Sequence, residues 1–513
     1  MIKQVITGLF LLTSIEINAQ TYFNYRFDYT DPAIWDGATS AMALNDGYVI
    51  VGGTGTVGNY FWHRLGLLKT DFNGNILFIK TYGDSISEYY FGNPGCMIQV
   101  NDTSFIAVGS KNTYLSNWVL QEGLLIKFNK FFDTLFSKKY GEKVPPFDTA
   151  YQFQQIKLSG NNFIIAGGKM PYGLATKAIL VKTDGSGNVI FEKSWYGSYD
   201  YYEGSSVICT TDGGYALGGF VWNPLPPPNY SGDPVIFKTD SLGNLLWMKN
   251  LGGPYSDNIA MLTNSIDGNI IIGTSYCDTM AGDNCSRRIN IIKIDNSGTI
   301  LWNKKYGKSE YFKTLTYIRT NTDGSLISTG ITHHAKEYSS KDFGWILKTS
   351  SEGDSLWYRE YVVCQGDESD NWLYDAIPTS DNGYLACGVV YPMPPDTGSQ
   401  DGWLLKVDSL GCEAPGECWV GQDEIWVKTF TPDKPFVVFP NPATANVTVE
   451  FHINPLGAEF ELYDLTGRQV LTDKIAPNRD LVELDIGKLK GGLYILKVII
   501  PGRRPVMEKV VVE

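Results

Sequence analysis

Histidine and charge are scarce in this chain. Four His in 513 residues argue against a His-rich metal centre. Only 19% of residues are charged, and 42 basic against 55 acidic residues leave a net charge of −13. That shortage of positive charge argues against a nucleic-acid backbone or an anionic bilayer as the main partner. No apolar run approaches the ~20 residues of a membrane-spanning helix. The one apolar stretch at the start, residues 5–15, follows Lys3 and runs to Ala19, the pattern of a secretory signal peptide over 1–19. Export of the mature chain from Gln20 is therefore expected. Also lacking are an EF-hand loop, a Gly-rich phosphate loop before a helix and a Cys-x-x-Cys-His haem motif, so no cofactor and no metal is expected. What is abundant is Gly, 54 residues, and aromatics, with 31 Tyr, 25 Phe and 13 Trp. Gly with aromatics and few charges predicts many short strands and turns rather than helices.

The middle of the chain is a repeat. Strands end in Lys69, Lys127, Lys182, Lys238, Lys293, Lys348 and Lys406, spaced 58, 55, 56, 55, 55 and 58 apart. Nine residues after the first six of these stands an aromatic: Phe78, Phe136, Phe191, Trp247, Trp302 and Trp357. A turn led by Asp and Gly precedes most of them, as in Asp212-Gly213-Gly214-Tyr215. Each unit thus offers four short strands, and seven such units predict a seven-bladed β-propeller over 20–411. The Asp and Gly of both hairpins are assigned to turn chemistry. The seventh unit lacks its last strand, while Phe23-Asn24-Tyr25-Arg26-Phe27 has the outer-strand spacing of Trp302 to Tyr306. The N-terminal strand is expected to close blade seven and remove a free edge. These units resemble those of secreted bacterial propellers, which implies architecture only.

Enzyme motifs fit poorly. The hairpin Asp295-Asn296-Ser297-Gly298 with Trp302 misses the sialidase Asp box by a residue on both sides, and converging Arg are few. A quinoprotein dehydrogenase would need adjacent cysteines. A polysaccharide lyase or glycoside hydrolase leaves no local motif and stays open as the alternative. The leading expectation is a non-catalytic binding or adhesion module with a glycan or protein ligand. Its candidate residues lie in segments read as variable loops on one face: Trp62, His63, Arg64, Trp118, Tyr172, Trp222, Tyr276, His333 and Tyr391. His333 and His334 are expected as a solvated loop pair.

Of eight Cys, Cys277 with Cys285 and Cys412 with Cys418 are close enough in sequence to close small loops. Cys96, Cys209 and Cys387 fall in apolar strand-like runs, where buried free thiols and disulfides both remain open. Beyond residue 412 the pattern fails, and 412–435, with Pro415, Pro432 and Pro435, suits a linker. Then 436–513 offers about seven strands, a small β-sandwich of immunoglobulin-like type. The whole chain is thus expected to be all-β.

The tail holds Val438-Phe439-Pro440-Asn441-Pro442-Ala443, then Leu462 to Arg468 with Asp464 and Gly467, and Leu489 to Tyr494 with Gly491 and Gly492, followed by Lys497. In these motifs it resembles the C-terminal (type A) sorting domain of the type IX secretion system of Bacteroidetes. The resemblance implies passage across the outer membrane and, as partners, the type IX machinery and its sortase-like peptidase. It implies release or attachment to surface lipopolysaccharide thereafter, an extracellular or surface location either way.

Overall fold

The computed structural model describes residues 20–512 apart from 31–34, 57–58, 85, 116–117, 142–148, 172–173, 198–200, 224–230, 254, 282–283, 308–311, 337–338, 416–435, 452–458, 475–480 and 500–505. The signal segment 1–19 and most of the expected linker lie outside the described residues. The chain divides into two compact units, Met1–Val427 and Lys428–Glu513. Among the described residues every regular element is a strand.

The larger unit contains seven antiparallel sheets among its described residues. The fourth shows the plan: Tyr201–Cys209 innermost, then Tyr215–Asn223, Ser231–Thr239 and outermost Leu245–Asn250. The inner three bury apolar side chains between neighbouring sheets, among them Val207, Leu217 and Phe237. The outermost alternates, with Trp247 turned to the core, where Leu251 just beyond the strand also packs. Each sheet packs on the next in chain order, and Asp36–Leu44 of the first packs on Asp370–Pro378 of the last. The result is a closed, β-propeller-like ring.

In the second sheet the expectation of four strands is corrected. Its innermost strand is split into Ser87–Phe91 and Met97–Asn101. Asn93-Pro94-Gly95 interrupts it, because Pro94 has no amide to donate and Gly95 sits at φ 82°.

Phe23–Phe27 pairs antiparallel with Asp401–Val407, Phe23 opposite Lys406, as the fourth strand of the last sheet. The register repeats that of Trp302 opposite Lys293. The aromatic spacing of the sequence therefore carried the pairing.

A belt of hydrogen bonds ties the sheets at their inner strands. Five of these strands bulge at one place, between Ala38/Ser40, Phe153/Gln155, Gly204/Ser206, Leu315/Tyr317 and Leu373/Asp375. The bulges turn polar groups toward the adjacent sheet. Ser40 Oγ donates to Asp375 at 3.0 Å, Gly95 N to Ser40 Oγ at 3.0 Å and Gln155 Nε2 to Pro94 O at 2.8 Å. Ser206 Oγ donates to Gln155 Oε1 at 3.0 Å, and Leu262 N to Ser206 Oγ at 3.0 Å. Leu315 N to Ser275 Oγ at 2.7 Å and Thr316 Oγ1 to Leu373 O at 2.8 Å complete the circuit. On the outside, Tyr82, Tyr140, Tyr306 and Tyr361 donate to carbonyls of the next sheet at 2.6 to 2.8 Å.

The repeat Lys has a role beyond the expected turn chemistry. Lys69, Lys238, Lys293 and Lys406 are buried, and pair with the turn residues Asp46, Asp212, Asp267 and Asp381 at 2.7 to 2.8 Å. In the third unit Asn161 stands at the turn, and Lys182 lies instead over the rings of Tyr215 and Phe191.

The smaller unit has two antiparallel sheets, one of three strands and one of four. Phe436, Val447, Val449 and Leu484 of the first share one apolar core with Phe460, Leu462, Leu496, Val498 and Val510 of the second. The quoted motifs perform identifiable work here. The Asn441 side chain, flanked by Pro440 and Pro442, donates to Lys509 O at 2.6 Å and accepts from Val511 N at 2.7 Å, standing in for a strand partner. Asp464 Oδ1 accepts from the amides of Thr466 and Arg468, with Gly467 at φ 83° closing the hairpin. Tyr494 Oη donates to Lys490 O at 2.8 Å, and Lys497 pairs with Glu461 at 2.7 Å. Gly491 and Gly492 are exposed.

Candidate functional site

The two middle strands of each sheet form a hairpin that runs alongside the start of the inner strand. In several sheets pairing across it continues into the segments expected as loops, which corrects that expectation there, while residues 392–400 of the last sheet stay outside any strand. His63 and Arg64 lie on Asn59–Thr70, and Trp222 on Tyr215–Asn223. Tyr276 lies on Ile270–Ala281, His333 on Leu326–Lys336 and Tyr391 on Tyr384–Tyr391. Antiparallel partners satisfy the backbone there, so no loop is needed. Trp62 and Trp118 also fall on strands, but their side chains lie outside the described residues, as does Tyr172. His333 and His334 are strand neighbours, not a loop pair.

Around the ring these candidates join local clusters, each built on a carboxylate. At the first junction the His63 ring is 5.2 Å from Tyr90, and both Tyr90 and Tyr114 donate to the buried Glu88, at 2.9 and 2.6 Å. Burial lowers the His63 pKa, with Glu88 pulling the other way. In the fourth unit the exposed Trp222 lies opposite Tyr201, whose hydroxyl donates to Glu203 at 2.6 Å. In the fifth, the Lys305 ammonium sits 3.5 Å over the Tyr276 ring and pairs with Asp278, which also holds Arg288. Below it, buried Asp257 accepts from Cys277 N and Gly253 N, and burial pushes its pKa up to about 6. Cys277 and Cys285 form a disulfide that staples this hairpin. Cys412 is also disulfide-bonded, while Cys418 lies outside the described residues. Cys96, Cys209, Cys364 and Cys387 are free.

The densest cluster joins the sixth and seventh sheets. His333 Nδ1 is hydrogen-bonded to Asp342 Oδ1, and Trp372 Nε1 donates to Asp342 Oδ2 at 2.7 Å. The Trp372 ring is 5.0 Å from that of Tyr391. Asp370, opposite Tyr391, has its pKa raised to about 6, first by burial and then by Asp342, against the pull of His333. Opposite His333, Phe312 carries the Arg287 guanidinium at 4.6 Å. Sequence reasoning missed Asp342 and Asp278. Asp342 had a signal, since it stands six residues before Lys348 and acids stand five before Lys238 and Lys406, at Asp233 and Asp401. The structure does not converge the candidates on one centre. Among the described residues, no group of three or more His, Cys, Asp or Glu could hold a metal ion.

Residues 437–513 match the secretion system C-terminal sorting domain family. That domain marks the chain for export by the type IX system, to the cell surface or the extracellular space, and implies contact with that machinery. No curated protein matches the sequence. Solved structures of similar fold include the extracellular domain of a hybrid two-component system from B. thetaiotaomicron, at 10% identity and TM-score 0.42 over 96% of this chain and 57% of that one. The chain thus spans little more than half of that relative. Others are the β-propeller domain of the trilobed protease from Pyrococcus furiosus (10% identity, 72% and 93% coverage, TM-score 0.38) and the periplasmic gluconolactonase of Pseudomonas aeruginosa (10%, 74% and 97%, 0.38). At such identities they say nothing of activity.

Proposed function

We propose that the chain is a seven-bladed propeller, 20–411, carried behind a signal peptide and joined by the linker 412–435 to an immunoglobulin-like sorting sandwich, 436–513. The propeller is a non-catalytic binding or adhesion module, displayed on the cell surface or released, and its ligand is a glycan. One observation carries this reading. At one end of the inner strands, aromatics such as Tyr114, Trp222 and Tyr391 stand beside fixed carboxylates in the second, fourth and seventh units. Flat rings suit sugar faces, and carboxylates with ordered hydroxyl partners suit sugar hydroxyls. The sorting sandwich is removed by a sortase-like peptidase, and surface lipopolysaccharide is the anchor where the protein is retained.

The His333–Asp342 pair beside Asp370, with its pKa raised to about 6, favours a second reading as a carbohydrate-active enzyme. A glycan-array screen of the full chain, with mass spectrometry of each bound polysaccharide, separates the two. Binding without shortened products supports the module. Shortened products that disappear in His333→Ala establish the enzyme. Absence of any glycan binding overturns the carbohydrate reading in both forms.

A further inference from the structure

At the opposite end of the inner strands from Trp222, His333 and Tyr391 lies a cavity of about 400 Å³. Its wall is made by the last residues of four successive inner strands, those of the third to sixth sheets. The charged side chains lining it are Lys157 and Arg319, and no carboxylate lines it. That is unexpected in a chain of net charge −13, where described Lys and Arg such as Lys111, Lys169, Lys305 and Arg288 have an acid or a ring as partner. The Lys157 ammonium has no ion pair or hydrogen bond among the described residues, and Lys157 is half-buried. Arg319 contacts Asp375 at 3.3 Å behind the wall and lies 5.3 Å over Tyr317, yet its Nε is buried with no partner. Asp375 is already engaged by Ser40 Oγ and Ala41 N. The remaining wall is rigid: Thr263 and Thr320 share a hydroxyl contact at 3.2 Å, Thr320 Oγ1 donates to Asn264 O at 2.6 Å, and Asn264 Nδ2 donates to Cys209 O at 3.0 Å. Across the ring, Tyr317 Oη lies 3.5 Å from Gln155 Nε2 of the third sheet and closes the floor.

A preformed cavity with two cations, a buried unpaired guanidinium donor and no acid in its lining is built for negative charge. We propose that this mouth of the ring is an oxyanion site, taking a carboxylate, phosphate or sulfate group between Lys157 and Arg319. Arg319, anchored by Asp375, presents its fork, and Lys157 adds the second charge. The site is separate from the aromatic end and does not rest on the binding reading above.

The test is calorimetric titration of the full chain at low ionic strength with inorganic phosphate, inorganic sulfate, glucuronate and, as a neutral control, glucose. We expect one saturable site for at least one anion, none for glucose, and binding weakened about tenfold or more in Lys157→Gln. Binding of the inorganic ions but not glucuronate assigns the site to a free ion. Glucuronate bound as well or better assigns it to a sugar-borne carboxylate. Absence of a saturable site for every anion, or binding unchanged in Lys157→Gln, overturns the proposal. Arg319→Lys is a second variant. Should it lose the native fold through Asp375, the partly exposed Lys157 still decides the matter.

Discussion

A buried lysine needs its partner more than the partner needs it. Lys238 is fully buried, whereas Asp212 is 40% exposed. Asp212→Ala strands an ammonium whose remaining acceptor is the carbonyl of Thr239 at 2.9 Å. Lys238→Met leaves an aspartate that water can reach. Asp212→Ala is therefore expected to lower stability by about 2 kcal/mol and Lys238→Met by clearly less, read from urea melts of the two variants. The opposite order would mean that the pair contributes through Coulomb attraction rather than through relief of desolvation. Asp36 is a different case. Burial raises its pKa to about 7, with Thr54 and the Tyr29 backbone pulling the other way and Asp28 and Asp401 adding to the rise. A carboxyl whose folded pKa lies above its unfolded value stabilises the fold at low pH, and that stabilisation fades as pH rises through the folded pKa. The window runs from about 4 to about 7. The melting temperature of the full chain should thus fall between pH 5.5 and 8, by the equivalent of roughly 2 kcal/mol. Asp36→Asn should flatten that slope, and an equal slope in the variant would show that other groups set it.

Among the strands, Phe23–Phe27 has the largest leverage. It caps the edge of Asp401–Val407, and Tyr25 Oη reaches Gly74 O of the first sheet at 2.6 Å. Phe27 lies so close to Gly402 that a Cβ there would meet the ring at 2.4 to 2.7 Å. Deleting 20–28 should lower the melting temperature and promote self-association through the uncovered strand, seen by light scattering. Gly402→Val, which leaves the strand in place but displaces Phe27, should reproduce the loss of stability. A melting temperature unchanged in both would mean that the inner belt alone holds the ring closed. The aromatic spacing made this strand recognisable, since a one-residue slip would have put Tyr25 and Phe27 on the wrong faces. The extended hairpins were not recognisable. Their ends are rich in polar and turn-forming residues, and only pairing with the facing strand makes them β.

For the whole molecule the smaller unit carries the export address. The Asn441 side chain couples the first sorting motif to the last strand, and one apolar core unites both sheets of the smaller unit. Removal of 437–513 should leave the remaining chain inside the outer membrane, checked by fractionating cells that produce full-length and truncated forms. Appearance of the truncated form outside the cell at the normal level would assign export to another segment. Asn441→Ala should weaken export partially, because it unpins one segment without emptying the core.

Local chemistry alone determined the repeat length, the strand content, the position of nearly every Gly turn and the sorting domain. These depend on residues near in sequence: alternation of apolar side chains, Asx turns and positive φ. Asn382 shows the limit even there, since it rather than Gly383 takes the left-handed position, at φ 64°. Tertiary structure decided what sequence order cannot express. It paired His333 with Asp342 and Trp372, brought Lys157 within one wall of Arg319, 162 residues away, and placed the turn Asp beside the repeat Lys. Such contacts arise between sheets that meet only when the ring closes, and closure depends on the summed packing of the whole chain rather than on any one motif.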